Sequence, residues 1–223
     1  MKSIFWVLLS LSAILLGACA APSATPVPAS IPTSNLEIPA YYATYSDAAN
    51  IFSILYPPEW EVNLSLTDDF KFQEYMKKIS KYENIETLVE TLPSMILFLA
   101  GIPTGKGGYS PNVNVAMIPF FGQQPQLDDL VDEKIRGSKK LFAEYTVLLR
   151  HRTTVDGTEA IITETESYLG ATGRLRHLTM HMLKDEIFWL VTCTSSVKEF
   201  SKYEVDFYHI VRSIKILEVI ASR

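Results

Sequence analysis

Cysteine and basic residues are both scarce in this chain of 223 residues. Its two cysteines are too few for a disulfide framework or for a zinc site with four cysteine ligands. Its 20 lysines and arginines are outnumbered by 25 aspartates and glutamates, which gives a formal net charge of −5. Because a nucleic-acid-binding domain needs a concentrated basic surface, we expect no nucleic-acid partner.

The chain also lacks a hydrophobic run long enough to span a bilayer. The apolar run at its N-terminus covers residues 4–16 and follows Lys2. A helix of that length rises only about 20 Å, whereas the hydrocarbon core of a membrane is roughly 30 Å thick. The segment is therefore typical of a secretory signal peptide, which we assign to residues 1–18.

The signal peptide ends in a motif that resembles a bacterial lipobox. Leu16-Gly17-Ala18-Cys19 has small residues before a cysteine, which predicts cleavage after Ala18 and lipid attached to Cys19. An ordinary cleavage site of the A-x-A type that happens to contain a cysteine is the alternative. On the lipobox interpretation, the mature protein is anchored through Cys19 to the extracytoplasmic face of the cell membrane.

The segment after Cys19 is rich in proline and poor in charge. Residues 20–39 contain five of the twelve prolines and no charged residue before Glu37. Such a stretch cannot bury apolar surface, and proline keeps it extended. We interpret residues 19–40 as a lipid-anchored linker and 41–223 as one folded domain.

Hydrophobic periodicity predicts both helices and strands in this domain. A helical pattern that begins at Leu127 continues to Tyr145, with two aspartates in its first turn. A closing helix is predicted near 200–214, with one apolar stripe formed by Phe200, Tyr203, Phe207, Ile210, Val211 and Ile214. Other segments are predicted as strands at 51–56, 60–62 and 112–118 and as helices at 70–82 and 84–100.

Four strands in succession form the clearest pattern in the chain. Asp156-Gly157 is a strong two-residue hairpin signal between strands at 147–155 and 158–169. A second turn at 170–173 leads to strands at 175–183 and 187–194. These segments predict an antiparallel meander.

The order of these segments resembles the PsbP-like family. "YSDAANIFSILYPPEWEV" is followed late in the chain by "VDGTEAIITE", "DEIFWLVTCTSS" and "FYHIVRSIKI", and the resemblance covers roughly residues 45–217. It implies an α+β fold, an α/β/α sandwich whose central antiparallel sheet of about six strands has helices on both faces. It also implies an interaction or assembly role without catalysis.

The chain departs from the family pattern in two places. It has a lipobox where the photosystem II members have a plastid transit peptide, so no photosystem role is carried over. It also has a helical insert at about 66–108. The apolar residues of that insert, among them Leu97 and Phe98, either complete the core or form an exposed lid or patch.

No motif for a cofactor or for nucleophilic catalysis is recognisable. Gly101 to Gly107 is superficially like a phosphate-binding loop, but only three residues separate its first two glycines and no serine or threonine follows Lys106. Cys193 is expected to be a small buried residue in a strand. We therefore expect no enzymatic activity and no cofactor.

A polar patch is predicted on the meander if both of its turns are tight. The first hairpin is expected to pair Val155 with Thr158, and the second to pair Leu169 with Arg174. The side chains on one face would then include Glu164, Glu166, His177 and Thr179, with His151 and His181 on the diagonals. The opposite face would hold the core residues Ile161, Leu178, Met180, Met182, Trp189, Val191 and Cys193.

Glu164, Glu166 and His177 are the candidate binding residues of that patch. The patch is either a site for a small ligand or metal, or a solvated strip beyond a covering helix. We favour the strip and assign no metal ligand, because a single bulge would scatter the cluster. The predicted function is a non-catalytic binding or assembly module with an unknown protein partner, and the alternative is a receptor for a small apolar or lipid ligand.

Overall fold

The computed structural model describes residues 38–47, 50–65, 95–102, 109–120, 125–142, 144–168, 170 and 173–217. The signal peptide, Ala18, Cys19 and most of the linker lie outside the described residues. The helix predicted at 70–82 also lies outside them.

The described residues contain ten strands and two helices. The strands that precede the first helix are β1 (Ala43–Ser46), β2 (Phe52–Tyr56), β3 (Glu61–Ser65), β4 (Met95–Gly101) and β5 (Asn112–Pro119). Helix α1 (Leu127–Leu141) is followed by β6 (Tyr145–Val155), β7 (Thr158–Tyr168), β8 (Arg174–Lys184) and β9 (Ile187–Ser196). Helix α2 (Phe200–Ser213) and β10 (Lys215–Ile216) close the described fold. Neither of these two helices is long and apolar enough to cross a membrane.

The strands form two antiparallel sheets. The larger sheet has seven strands in the order β3-β4-β5-β9-β8-β7-β6, and the smaller has three in the order β1-β2-β10. The meander predicted from the hairpin signals is the β6–β9 half of the larger sheet, and it joins β5 through β9. The predicted α+β class with a central antiparallel sheet and helices on both faces is confirmed, with seven strands in that sheet.

Alternation along the strands divides the core into two clusters. Ile161 and Ile162 are adjacent in β7 and therefore point to opposite faces of the sheet. Ile162 belongs to the larger cluster with residues of α2, whereas Ile161 belongs to a smaller cluster with residues of α1. We call these two sides the α2 face and the α1 face.

The α2 face is covered by α2 together with the three-stranded sheet. All six residues of the predicted apolar stripe, from Phe200 to Ile214, are buried in this cluster. Trp189 in β9 and Phe52 in β2 lie in the same cluster, with their ring centroids 6.1 Å apart. The amphipathic pattern of the closing helix therefore explains how this face is sealed.

Among the described residues, one helix covers the α1 face. Leu127, Leu130 and Val131 of α1 pack on apolar residues of β5, β7 and β9. These three residues lie in the N-terminal half of the helix, so the apolar contact covers only part of this face. The remaining part is polar.

The helical prediction for residues 84–100 is wrong for its last part. Met95–Gly101 is a strand that lies between β3 and β5. An inner strand carries a continuous apolar run, and periodicity cannot distinguish such a run from a buried helix. Phe98 has no exposed surface, so it belongs to the core and not to an exposed patch. The side chain of Leu97 and residues 66–94 and 103–108 lie outside the described part.

The helical pattern predicted from Leu127 to Tyr145 ends earlier than expected. Helix α1 ends at Leu141, and Phe142 already has an extended backbone. Tyr145 is the first residue of β6, and its ring stacks on that of Phe142 at a centroid separation of 6.0 Å. The apolar pattern therefore extends past the end of the helix, because these two rings pack together across the turn that connects α1 to β6.

Candidate ligand-binding site

The second hairpin of the meander has a register that differs by one residue from the predicted one. Tyr168, and not Leu169, pairs with Arg174. The connection is residues 169–173, which is one residue longer than the predicted turn. The first hairpin has the predicted register, in which Val155 pairs with Thr158.

This shift separates the residues of the predicted polar patch. Because a one-residue slip moves every side chain of a strand to the other face, Glu164 and Glu166 lie on the α2 face and His177 lies on the α1 face. The predicted patch of these three residues is therefore not formed. Ile161 was predicted to share a face with the core residues of β8 and β9. In the structure Ile162 lies with them on the α2 face, and Ile161 lies on the α1 face.

Glu164 takes part in a buried ion pair on the α2 face. Its carboxylate accepts a hydrogen bond from the guanidinium of Arg176, which also lies over the ring of Phe200 at 4.7 Å from the centroid. The side chain of Glu164 is 2 % exposed. Burial raises the pKa of Glu164, and Arg176 opposes that rise. The carboxylate is thus part of the packed interior, and the partly exposed guanidinium closes it off from solvent.

The polar part of the α1 face contains a cavity of about 330 Å³. Its floor is formed by alternate residues of β7, β8 and β9 and by Asn114 of β5, and hydroxyl groups predominate there: Thr163, Thr165, Thr179, Thr192 and Thr194. Lys134, Ile135 and Ser138 of α1 line it from the helix side. The stacked rings of Phe142 and Tyr145 line it where the helix ends. We call this space the threonine cavity.

Two histidines of β8 are fixed among the floor hydroxyls. His177 is hydrogen-bonded through Nε2 to the hydroxyl of Ser167 (2.8 Å) and through Nδ1 to that of Thr194 (3.0 Å). His181 is hydrogen-bonded through Nε2 to the hydroxyl of Thr163 (2.9 Å). Its Nδ1 is buried and has no hydrogen-bond partner among the described residues.

Both histidines are neutral at physiological pH. Burial lowers the pKa of His177 to about 4, and burial together with the charges of Lys134 and Arg150 lowers that of His181 to about 3. A neutral imidazole has one donor and one acceptor nitrogen, and hydrogen bonds select between its tautomers. The two rings therefore add donors and acceptors to the cavity wall but no charge.

Lys134 is the charged group of the cavity wall. Burial lowers the pKa of its ammonium, which has no hydrogen-bond or ion-pair partner among the described residues. Nearby acids of α1 are already paired with arginines, Asp132 with Arg150 and Glu133 with Arg136. A desolvated ammonium without a counterion is unfavourable, so this position is poised to accept a negative group.

Ser167 and His177 are close enough to form a nucleophile–base pair, but their surroundings do not suit catalysis. Ser167 is 2 % exposed, so its hydroxyl is out of reach of a dissolved substrate. The second nitrogen of His177 contacts Thr194 where a serine hydrolase has a carboxylate. The residues that the structure describes also contain no group of three or more His, Cys, Asp or Glu side chains that could hold a metal ion.

Sequence reasoning identified His177, Thr179 and His181 but missed the rest of the cavity wall. The available signal was the alternation of threonine in two buried strands, at 163 and 165 and again at 192 and 194. Threonine is common in strands for its β-branched shape, so this alternation is weak until the register shows that the hydroxyls face one space.

Comparison with known proteins shows similarity at the level of fold. Cyanobacterial PsbP from Synechocystis sp. PCC 6803 has a TM-score of 0.52 at 10% sequence identity, and the match covers 84% of this chain and 99% of that one. LpqN, involved in cell envelope biogenesis of Mycobacterium tuberculosis, matches at 0.49 and 6% identity over 79% of this chain and 86% of its own. A Pseudomonas aeruginosa protein of unknown function, PA94, matches at 0.43 and 13% identity over 51% and 76%.

No family model and no curated protein matches the sequence. The similarity to cyanobacterial PsbP confirms the PsbP-like resemblance as a resemblance of fold. Function must be argued from the site itself, because one fold supports many activities.

Proposed function

We propose that this chain is a lipid-anchored, non-catalytic binding module that holds a small polar ligand outside the cell membrane. In this proposal residues 1–18 are removed by cleavage after Ala18, and lipid on Cys19 anchors the mature chain. The segment 19–40 then tethers the PsbP-like domain, residues 41–223, to the membrane.

The observation that carries the proposal is the threonine cavity. A purely structural interior is filled with apolar side chains to crystal-like density. Here a space of about 330 Å³ is left between α1 and the sheet, and its floor is made of threonine hydroxyls. A cavity of that size, with convergent polar groups, is within the range of small-molecule sites.

The polarity of the wall favours a polar ligand over the apolar or lipid ligand of the alternative prediction. Hydroxyls and imidazoles covered by an apolar molecule would lose hydrogen bonds to water and gain none in return. We propose that the Ser167–His177 pair has no catalytic role for two reasons. The serine is buried, and the second nitrogen of the histidine contacts Thr194 where a serine hydrolase has a carboxylate.

The anchor is tested on the full-length tagged chain. We expect the wild type to enter the detergent phase on phase separation, and its first peptide to begin at Cys19 with the mass of attached lipid. Cys19→Ala should remain unlipidated and leave that phase. An unmodified Cys19 in the mature wild type would contradict the anchor.

Ligand binding is tested by native mass spectrometry of the full-length chain captured from gently solubilised membranes. We expect a small molecule bound to the wild type and lost from Thr179→Val, which removes one floor hydroxyl and keeps the shape of the side chain. Thr153→Val makes the same change in β6 at a position outside the cavity wall and is the matched control. The same capture also recovers any bound protein partner. A partner that is recovered equally with the wild type and with Thr179→Val would favour an assembly role instead.

A further inference from the structure

We infer that the ligand of the threonine cavity is a small anion, with a carboxylate or phosphate group held against Lys134 and the floor hydroxyls. This inference rests on the proposed function and names the chemical class of the ligand. It is carried by the charges of the wall, by its hydrogen-bond donors and by its shape.

The charge of the wall is opposite to that of the whole protein. The chain has a net charge of −5, yet among the described residues those that line the cavity include the ammonium of Lys134 and no aspartate or glutamate. An ammonium in this position repels cations and attracts anions, and the partial burial of Lys134 reduces its screening by solvent. An anionic ligand is thus favoured over a cationic one on electrostatic grounds.

The floor supplies donors that can surround an anionic group. Each threonine hydroxyl can rotate to donate, and Thr179 and Thr192 lie side by side with their oxygens 3.3 Å apart. When Nε2 of His181 accepts from the hydroxyl of Thr163, its buried Nδ1 carries a proton and needs an acceptor. An anion in the cavity can accept from hydroxyls of the floor and from the ammonium of Lys134, and hydrogen bonds to ionised groups are the stronger kind.

Other residues of the cavity wall give the ligand an apolar surface. Phe142 and Tyr145 present a pair of stacked rings, and Ile135 and Leu175 also line the space. A small organic acid with a flat or apolar body would place its charged group at Lys134 and its body against these rings. Inorganic phosphate would satisfy only the polar part of the wall, so the two kinds of anion should bind with different affinities.

The inference is tested by calorimetric titration of the full-length chain with three probes at constant ionic strength. Benzoate carries a carboxylate on a flat ring, benzamide is its neutral isostere, and inorganic phosphate carries no apolar body. We expect benzoate or phosphate to bind and benzamide to bind at least about tenfold more weakly, which is about 1.4 kcal/mol. Tighter binding of benzoate identifies a carboxylate ligand, and tighter binding of phosphate a phosphate ligand.

Lys134→Gln should weaken the binding of the preferred anion by about tenfold or more. Lys139→Gln removes the same charge from an exposed position of α1 and should change the affinity less than about twofold. Lys134→Gln should melt no lower than the wild type, because it removes an unpaired desolvated charge, and this shows that the variant is folded.

Three results would overturn the inference: equal binding of benzamide and benzoate, undiminished anion binding by Lys134→Gln, or no binding of either anion at millimolar concentrations. None of these results depends on the lipid on Cys19 or on the comparison of Thr179→Val with the wild type by native mass spectrometry. The failure of the anion class and the failure of the proposed function are therefore distinguishable.

Discussion

The two faces of the seven-stranded sheet are built from alternate residues of the same strands, yet they are packed in different ways. On the α2 face, Phe98, Trp189 and Phe207 have no exposed surface and lie in one cluster with the residues of the small sheet. On the α1 face the apolar cluster stops at the middle of the helix, and the threonine cavity follows. The filled face contains the larger apolar cluster, and the open face contains the cavity that we propose as the site.

Buried polar atoms without a hydrogen-bond partner occur on both faces of the described fold. On the α2 side, His209 is buried with neither ring nitrogen hydrogen-bonded, and Nε1 of the buried Trp189 is also unpaired. On the α1 face, Nδ1 of His181 is unpaired, and the half-buried Lys134 lies in the wall of the cavity. The two faces are therefore distinguished by the cavity and not by the pairing of their buried groups.

The largest expected effect comes from truncation on the filled face. Phe207 packs against the rings of Trp60 and Phe200, with centroids 6.2 and 5.5 Å away. Phe207→Ala should lower the free energy of unfolding by about 3–5 kcal/mol, because the residue is fully buried and leaves a cavity. Phe142→Ala, beside an existing space, should cost only about 1 kcal/mol.

Urea unfolding of both phenylalanine variants measures this difference directly. Equal losses would mean that the two faces contribute alike to stability. In that case the contrast between a filled and an open face would be wrong.

Removal of one member of the buried ion pair should have the next largest effect. Arg176→Leu leaves the carboxylate of Glu164 buried without a cation and should lower the free energy of unfolding by about 3 kcal/mol at pH 7. Without Arg176, burial holds the folded-state pKa of Glu164 further above its unfolded value. The loss should therefore be small below pH 4, where the carboxyl is protonated in both states, and grow as the pH rises.

Denaturation of Arg176→Leu at several pH values checks this sign. The double variant with Glu164→Gln is the control, since it contains no buried charge and should recover most of the stability at pH 7. A loss independent of pH would mean that Arg176 acts through packing on Phe200 and not through its charge.

The histidines of the open face should make the protein sensitive to acid. Their folded-state pKa values of about 4 and 3 lie below the unfolded value of 6.5, so the unfolded state takes up protons first. Stability is complete above pH 6.5 and is lost as the pH falls, by about 2 kcal/mol per histidine at pH 5. His181→Gln should reduce the difference in unfolding free energy between pH 7 and pH 5 by about 2 kcal/mol, as measured in urea, and the rest should come from His177 and from His151 and His209, whose pKa values burial also lowers. An unchanged difference would show that His181 is not held neutral by burial.

The filled face was the more predictable of the two. The Asp156-Gly157 turn has both φ angles positive, at 48° and 73°, as its hairpin signal requires, and the register of the first hairpin follows from it. The stripe from Phe200 to Ile214 fixed the covering helix, because 3.6-residue periodicity is unambiguous over fourteen residues. Strand β4 was missed because its apolar run has no period.

The open face could not be predicted because it depends on one residue of loop length. The turn signal at Gly170–Gly173 indicated a four-residue connection, whereas Tyr168 and Arg174 are paired and five residues connect them. That single residue decides which of Glu164 and Thr165 shares a face with His177. Loop length is set by local backbone geometry, and the positive φ angles of Gly170 and Gly173 are compatible with either length.

The smallest expected effect is an increase in stability that leaves both faces unchanged. Asp185 and Glu186 form the β8–β9 turn with positive φ angles of 54° and 60°, a conformation that glutamate adopts with strain. Glu186→Gly should raise the free energy of unfolding by about 0.5–1 kcal/mol, as read from the urea midpoint. Gly157→Ala in the β6–β7 turn, where the added Cβ meets nothing within 4 Å, should lower it by a similar amount.

Neither turn variant should alter the affinity of the threonine cavity for an anion, because neither residue lines it. If the anion affinity of these two variants changes in parallel with their free energy of unfolding, the effect of Lys134→Gln is due to a change in the fold and not to the loss of charge. Unchanged binding across a range of about 1–2 kcal/mol in stability would assign the effect of Lys134 to its ammonium, and so to the open face alone.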